Sequence, residues 1–183
     1  LGDDPYLLFL SRVHPPKGAR DLVEAFAQLA EASPELQLVV AGRDEDGGVA
    51  ELLEVAQRSA LLSRVHIAGF LTGDEKRAAL DNALIFCLPS YHEGFSVAIL
   101  EAMAARVPVV ISEGCHFPTV AREELGWVHA QGAEALSEAL NEALSQPEER
   151  ARRVDRAERW VSENATWEQV AARFERLYRS LTP

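Results

Sequence analysis

The run "PSYHEGFSVAILEAMAARVPVV", Pro89 to Val110, decides the fold. It follows "LIFCLPS", an apolar strand-like run that ends in a turn-forming pair. "YHEG" reads as the turn itself, with Gly94 there for an unusual backbone angle or a close approach. "FSVAILEAMAA" has helical composition and should start at about Phe95 or Ser96, and "VPVVIS" is the next strand. Strand, turn, helix and strand in this little chain is a crossover unit of a parallel sheet. The same stretch sets Glu93 at the turn and Glu101 inside the helix, among Val97, Ile99, Leu100 and Met103. A carboxylate in such company is costly to bury unless something pairs with it.

The pattern repeats outward in both directions. Strand-like runs fall at Tyr6 to Arg12, Leu36 to Gly42, Arg64 to Phe70, Leu84 to Ser90, Val107 to Ser112 and Gly126 to Ala130. Helical patterns fill the gaps, at Ala19 to Ala32, Gly48 to Leu62 and Thr72 to Ala83, the last with Thr72 as N-cap. The alternation predicts an α/β fold, a Rossmann-like doubly wound parallel sheet of about six strands, in a single domain over residues 1–183. Ligands of such sheets bind beyond the carboxyl ends of the strands. Three helical segments close the chain, at Gly132 to Gln146, Pro147 to Ala165 and Thr166 to Leu181. The last places Trp167, Val170, Ala171, Phe174, Leu177, Tyr178 and Leu181 on one stripe, which either docks on its own domain or also touches a partner domain.

A formal net charge of −11 argues against general nucleic-acid binding but leaves room for a local basic pocket. Only Lys17 and Lys76 are lysines among the basic residues. No apolar run is long enough to span a membrane, and the first residues lack signal-peptide character, so a cytoplasmic location is expected. Met103 is the only methionine, and the chain reads as a piece of a longer protein. Cys87 and Cys115 form neither a disulfide framework nor a metal-ligand spacing. The sequence holds neither a G-x-G-x-x-G fingerprint after the first strand nor a G-x-x-x-x-G-K-[ST] loop, so dinucleotide binding of the Rossmann type and P-loop hydrolysis are unsupported.

After the first strand, "SRVHPPKGAR" sets Arg12 and Lys17 on a loop stiffened by Pro15 and Pro16, with Gly18 leading into a helix. Two cations there either are solvated surface charges or hold a phosphate at the helix start. First-turn amides of Phe95, Ser96 and Val97 offer donors from the opposite side. Glu101 could take a vicinal diol with both oxygens, and Glu93 a further polar group, which together describe a sugar nucleotide. Singly, Glu93 also reads as an acid complementing the helix dipole, and Glu101 as an exposed or salt-bridged glutamate.

"EGFSVAILEAMAARVPVV" resembles the E-x7-E block of retaining, nucleotide-sugar-dependent glycosyltransferases of the GT-B fold, the family-4 group. "SRVHPPKG" is similar to that family's phosphate loop, and "VVAG" and "VHIAGFL" fall in the expected order, so the resemblance runs from Tyr6 to about Leu181. It implies that this chain is the C-terminal, donor-binding half of a two-domain enzyme. The preceding N-terminal half would bind the acceptor, and the helix over 164–183 would cross back onto it. Arg12, Lys17 and the amides of Phe95, Ser96 and Val97 would hold the donor diphosphate. Glu101 would bind the ribose, backbone around Leu71 the nucleobase, and Glu93 the transferred sugar as the catalytic contact.

The implied donor is a UDP-, GDP- or ADP-sugar, and the implied activity is hexosyl transfer with retention. Neither a metal nor a cofactor is expected, and a membrane-surface acceptor is allowed. The isolated domain should be weakly active at most. "GRDEDGG" reads as a solvated acidic loop. Arg106 and Ser96 stand where the family commonly has glycine, and Thr119 where it has an acid. Those departures leave open a second reading, a non-catalytic regulatory module with a decayed site.

Overall fold

The central strands are nearly all apolar and are buried on both faces, as a parallel sheet covered by helices requires. The computed structural model describes residues 4–181. Residues 1–3 and 182–183 of the expected domain, and with them the end of the expected 164–183 helix, lie outside the described residues. The strands are β1 (Tyr6–Leu10), β2 (Gln37–Ala41), β3 (Val65–Gly69), β4 (Ile85–Leu88), β5 (Val109–Ser112) and β6 (Trp127–His129). They form one sheet in the order β3-β2-β1-β4-β5-β6, and every pairing is parallel. Every residue of β1, β4 and β5 is buried, whereas β3, at an edge, buries only Val65.

Between the strands run α1 (Ala19–Leu29), α2 (Gly48–Arg58), α3 (Gly73–Asp81) and α4 (Val97–Ala104). A short α5 (Thr119–Arg122) precedes β6, and α6 (Ala133–Ser145), α7 (Pro147–Asn164) and α8 (Trp167–Leu181) close the chain. Helix α1 turns Leu22, Val23, Ala25, Phe26 and Leu29 inward and packs between α2 and α6, while α4 packs on α7. Phe9, Phe26 and Phe86 are fully buried. Side chains of that kind each contribute about 1.5–3 kcal/mol through removal from water.

The six strands and seven helices appear in the expected order; the differences lie at ends and in one added short helix. Helix α2 stops at Arg58, because Ala60 takes a left-handed φ of 56° before a 3-10 turn over Leu62–Arg64. Thr72 takes the extended conformation of an N-cap, but its side chain makes no capping hydrogen bond. Helix α5, which falls in the "GCHFPTV" loop, was not expected, and Thr119 is its first residue. Cys87 and Cys115 are free and buried, and burial pushes both thiols up. Among the described residues, no helix is long and apolar enough to cross a membrane. None of α8 is buried: Trp167 is 87% exposed and Leu181 70%.

The sequence of neighbours in the sheet reverses between β1 and β4. Successive strands wind outward in opposite directions from that point, and ligand crevices of such sheets lie beyond the strand ends there. The loops after β1 and β4 are the two that carry Arg12, Lys17 and Glu93.

Candidate functional site

The loop after β1 is built by its own backbone. Ser11 N–H donates to Ala41 O at 3.0 Å and Val13 N–H to Arg43 O at 2.7 Å, which ties it to the loop after β2. Pro15–Lys17 form a 3-10 turn, and Gly18 follows with a left-handed φ of 71°. A Cβ at Gly18 would stand 2.1 Å from Pro89 O, so the start of α1 touches the end of β4 through the one residue that has no side chain. Tyr91 N–H then donates to Pro16 O at 2.8 Å, and Ser90 Oγ to Pro16 O at 3.2 Å. The two expected phosphate-side loops are therefore one hydrogen-bonded unit.

The same unit is held from behind. Ser112 Oγ donates to Ser90 O, as does Gln131 Nε2 at 3.4 Å, and Glu93 N–H donates to Gly114 O at 2.8 Å. Gly114 comes so close that a Cβ there would lie 2.4 Å from Ser90 O and 2.5 Å from Tyr91 O. His116, in a left-handed conformation (φ 50°), brings Nδ1 to 3.0 Å from Glu93 O. Tyr91 O–H donates to Asp21 Oδ2 at 2.7 Å, a bond that, with some burial, pushes the phenol up to about 12. Gly94 differs from the expectation. Its φ is not positive and no atom lies within 4 Å of where its Cβ would be, so the turn itself does not demand glycine.

Lys17 and Glu93 meet directly. Lys17 Nζ donates to Glu93 Oε1 at 2.7 Å and to His92 O at 3.2 Å, and only 10% and 12% of the two side chains are exposed. Arg12 is exposed, and its Nη1 donates to Glu45 Oε2 at 2.8 Å. His14 Nε2 lies 2.8 Å from Asp46 Oδ2, and Asp44 Oδ1 accepts from Val49 N–H at 3.0 Å. The loop "GRDEDGG" is solvated, as expected, with Arg43, Asp44 and Asp46 exposed, but its acids also have partners. Its acids pair with the residues of the first loop or cap α2, because the two loops run side by side in a bridge between Val13 and Asp44.

Helix α4 begins later than expected, with Ser96 as N-cap and Val97 as its first residue, so Phe95 lies outside the helix. The reason is local: Ser96 holds an extended conformation, and its side chain makes no cap bond. First-turn amides have no acceptor within a helix, and those of Phe95, Ser96 and Val97 find none elsewhere among the described residues. Phe95 and Val97 expose most of their side chains.

Beyond the strand ends lies a crevice of about 500 Å³, lined by Arg12, Arg43, Phe70, Leu71, Lys76 and Glu101 among others. Arg12, Leu71 and Glu101 are thus brought to one cavity, whereas Lys17, Glu93, Phe95, Ser96 and Val97 are not among its lining residues. Glu101 Oε1 accepts from Lys76 Nζ at 2.5 Å. The Arg43 guanidinium lies 4.5 Å from the centre of the Phe70 ring. Sequence reading gave no role to Lys76, Glu45 or Arg43. The scarcity of lysine pointed at Lys76, but nothing in the pattern placed α3 against α4.

Residues 1–160 match the protein family described as glycosyl transferases group 1. The chain is 32% identical over 179 residues to the phosphatidyl-myo-inositol mannosyltransferase of Mycobacterium leprae, covering 96% of this chain and 46% of that protein. It also resembles the C-terminal domain of the glycosyl transferase group 1 family protein LpcC from Francisella tularensis, with a TM-score of 0.80, 19% identity, and 89% and 87% of the two chains covered. Against Anabaena Alr3699/HepE, solved in complex with UDP, the TM-score is 0.88 at 22% identity, covering 97% of this chain and 49% of that one. The chain spans less than half the length of the mannosyltransferase. Its fold is that of one half of the GT-B architecture.

Proposed function

The chain belongs to the glycosyl transferases group 1 family, and from that premise we propose that it binds a nucleoside-diphosphate sugar and serves transfer of the sugar to an acceptor hydroxyl with retention. The observation that carries this reading is the crevice beyond the strand ends, which gathers Arg12, Leu71 and Glu101, with Ala98 from the first turn of α4 on its wall. The diphosphate is the leaving group. Negative charge grows on it as the bond to the anomeric carbon breaks, and donors fixed in advance are worth most at that point. Arg12 and the amides of Ser96 and Val97 supply them, with Lys17 behind. Glu101 takes the ribose hydroxyls, Leu71 backbone the base, and Glu93 the sugar near its reacting carbon. That Glu93 is anchored by Lys17, by its own amide and by its carbonyl gives the contact a fixed position.

Retention and hexosyl transfer rest on the resemblance of the Glu93–Glu101 block, and UDP is favoured as carrier by the structural neighbour that binds it. GDP and ADP remain within the proposal, as do metal independence and a cytoplasmic site of action. The acceptor is assigned to an N-terminal domain, and the exposed stripe of α8 to contact with it. Calorimetric titration with UDP, GDP and ADP tests the reading. Binding of one of them, weakened more by Glu101→Ala than pyrophosphate binding is, supports it. A folded chain that binds none of the three overturns it and favours a non-catalytic module.

A further inference from the structure

We propose that Lys76 is a positioning residue for Glu101, holding the carboxylate in the orientation that takes a ribose diol. The proposal rests on the nucleotide reading above and adds a residue to it. Lys76 and Glu101 belong to different helices, α3 and α4, and both line the crevice. Their contact, Nζ to Oε1 at 2.5 Å, is the only hydrogen bond of either side chain among the described residues. Each side chain is about one-third exposed, 33% and 34%.

The neighbouring cation behaves differently. Arg77 pairs with Asp81 at 3.1 Å, four residues along its own helix and out on the surface. Lys76 instead reaches off its helix to a carboxylate set among apolar residues of the α4 sequence. Helix α3 is seated by Leu80, by Ala79 against the core and by Tyr6 O–H donating to Ala79 O at 2.8 Å, which holds Lys76 facing α4.

The chemistry explains why a crevice for a nucleotide needs this cation. A glutamate that accepts from a diol must stay ionised and hold one rotamer, with both oxygens available. Lys76 engages Oε1 and leaves Oε2 without a partner, and a carboxylate oxygen can accept more than one hydrogen bond. Glu101 also shares its cavity with the place assigned to a diphosphate, and like charges there repel. The ammonium of Lys76 cancels that repulsion, so the diol contact adds to diphosphate binding instead of opposing it.

The test uses the 183-residue chain, its Lys76→Met and Lys76→Arg variants, and three probes. These are whichever of UDP, GDP and ADP the chain binds, the 2′-deoxy form of that nucleotide, and pyrophosphate. Lys76→Met should lower nucleotide affinity about tenfold, as loss of a partly exposed charged hydrogen-bond partner does. It should abolish most of the preference over the 2′-deoxy form, while pyrophosphate affinity falls within about threefold. Lys76→Arg should restore the preference. If Lys76→Met keeps the parent chain's preference for the ribose form, or loses pyrophosphate as strongly as nucleotide, the positioning role is overturned. If the parent chain binds none of the three nucleotides, the nucleotide reading fails first and takes this role with it.

Discussion

Lys17 Nζ lies 2.7 Å from Glu93 Oε1, and nearly nine-tenths of each side chain is closed to solvent. The sequence gives them separate tasks, one at the diphosphate and one at the sugar, yet they form a single buried unit. Removing one partner of such a pair strands a charge, while removing both does not. Glu93→Ala should therefore cost about 3 kcal/mol of stability. The joint change Lys17→Met with Glu93→Leu should cost clearly less. Urea unfolding of the three proteins decides it, and a joint variant less stable than Glu93→Ala would refute the buried-pair account.

Arg12 is held by Glu45 at 2.8 Å, and the cation is exposed. A diphosphate must take Arg12 from Glu45. Exposed pairs are worth about 0–1 kcal/mol, so Glu45→Gln should tighten nucleoside-diphosphate binding about two- to threefold. Arg12→Ala should weaken it by a similar or larger factor. Both effects should shrink in 0.5 M salt, about three times the physiological ionic strength. Calorimetry at two salt concentrations measures this, and an unchanged affinity in Glu45→Gln would show that Glu45 does not compete.

Arg106 occupies a left-handed conformation, φ 61°, at the end of α4. A side chain there costs about 1 kcal/mol relative to glycine. The structure supplies an offset: Arg106 donates to Asp155 Oδ1 at 2.5 Å and to Glu158 Oε2 at 2.8 Å, tying the turn to α7. Arg106→Gly gains backbone ease and loses two exposed ion pairs, so its unfolding midpoint should stay within a few degrees of the parent's. Arg106→Ala loses the pairs and keeps the strain, and should unfold at a lower temperature than either the parent or Arg106→Gly. Thermal unfolding of the two side by side separates the contributions.

His129 is buried, with Nδ1–H donating to Ala130 O at 2.6 Å and Nε2 without a partner. Burial holds its pKa below the ordinary value. The unfolded chain then takes up the proton first as pH falls through about 6.5, so native stability drops with acid in that window and is full above it. Per pH unit the loss is at most about 1.4 kcal/mol for one group. His129→Gln should flatten the dependence of the unfolding midpoint between pH 7 and pH 5.5, whatever it does to the midpoint at neutral pH. An equally steep profile in the variant would place the titration elsewhere.

How far the sequence could be read follows from which forces act locally. The strands were legible because buried parallel strands must be nearly all apolar, as "YLLFL", "IFCL" and "VVIS" are. Glu93, Glu101, Arg12 and Lys17 drew attention through the resemblance of "EGFSVAILEAMAARVPVV" and "SRVHPPKG" to family motifs, since residue types alone read each as readily as a surface charge. The pairings were not legible. Glu45 reaches Arg12 and Lys76 reaches Glu101 across 33 and 25 residues, distances that no periodicity reports. The late start of α4 was missed for the opposite reason, since Phe95 and Ser96 tolerate both helical and extended backbone. Gly94 misled in a third way: a glycine after a turn acid suggested strain, and the backbone has none there.

Three of the cations around the site already have an anion, Arg12 with Glu45, Lys17 with Glu93 and Lys76 with Glu101, while Arg43 lies over the Phe70 ring. So much pairing leaves only a weak positive field at the crevice, and the chain around it carries a formal charge of −11. A diphosphate approaching through solution is therefore repelled at distance and welcomed only on contact, by exchange of partners. Added salt screens the first effect before the second, since the Debye length at about 0.1 M is near 10 Å. Capture of the donor should accordingly quicken as salt is raised from very low levels, the reverse of an electrostatic funnel, and selectivity among anions is left to the last few ångströms.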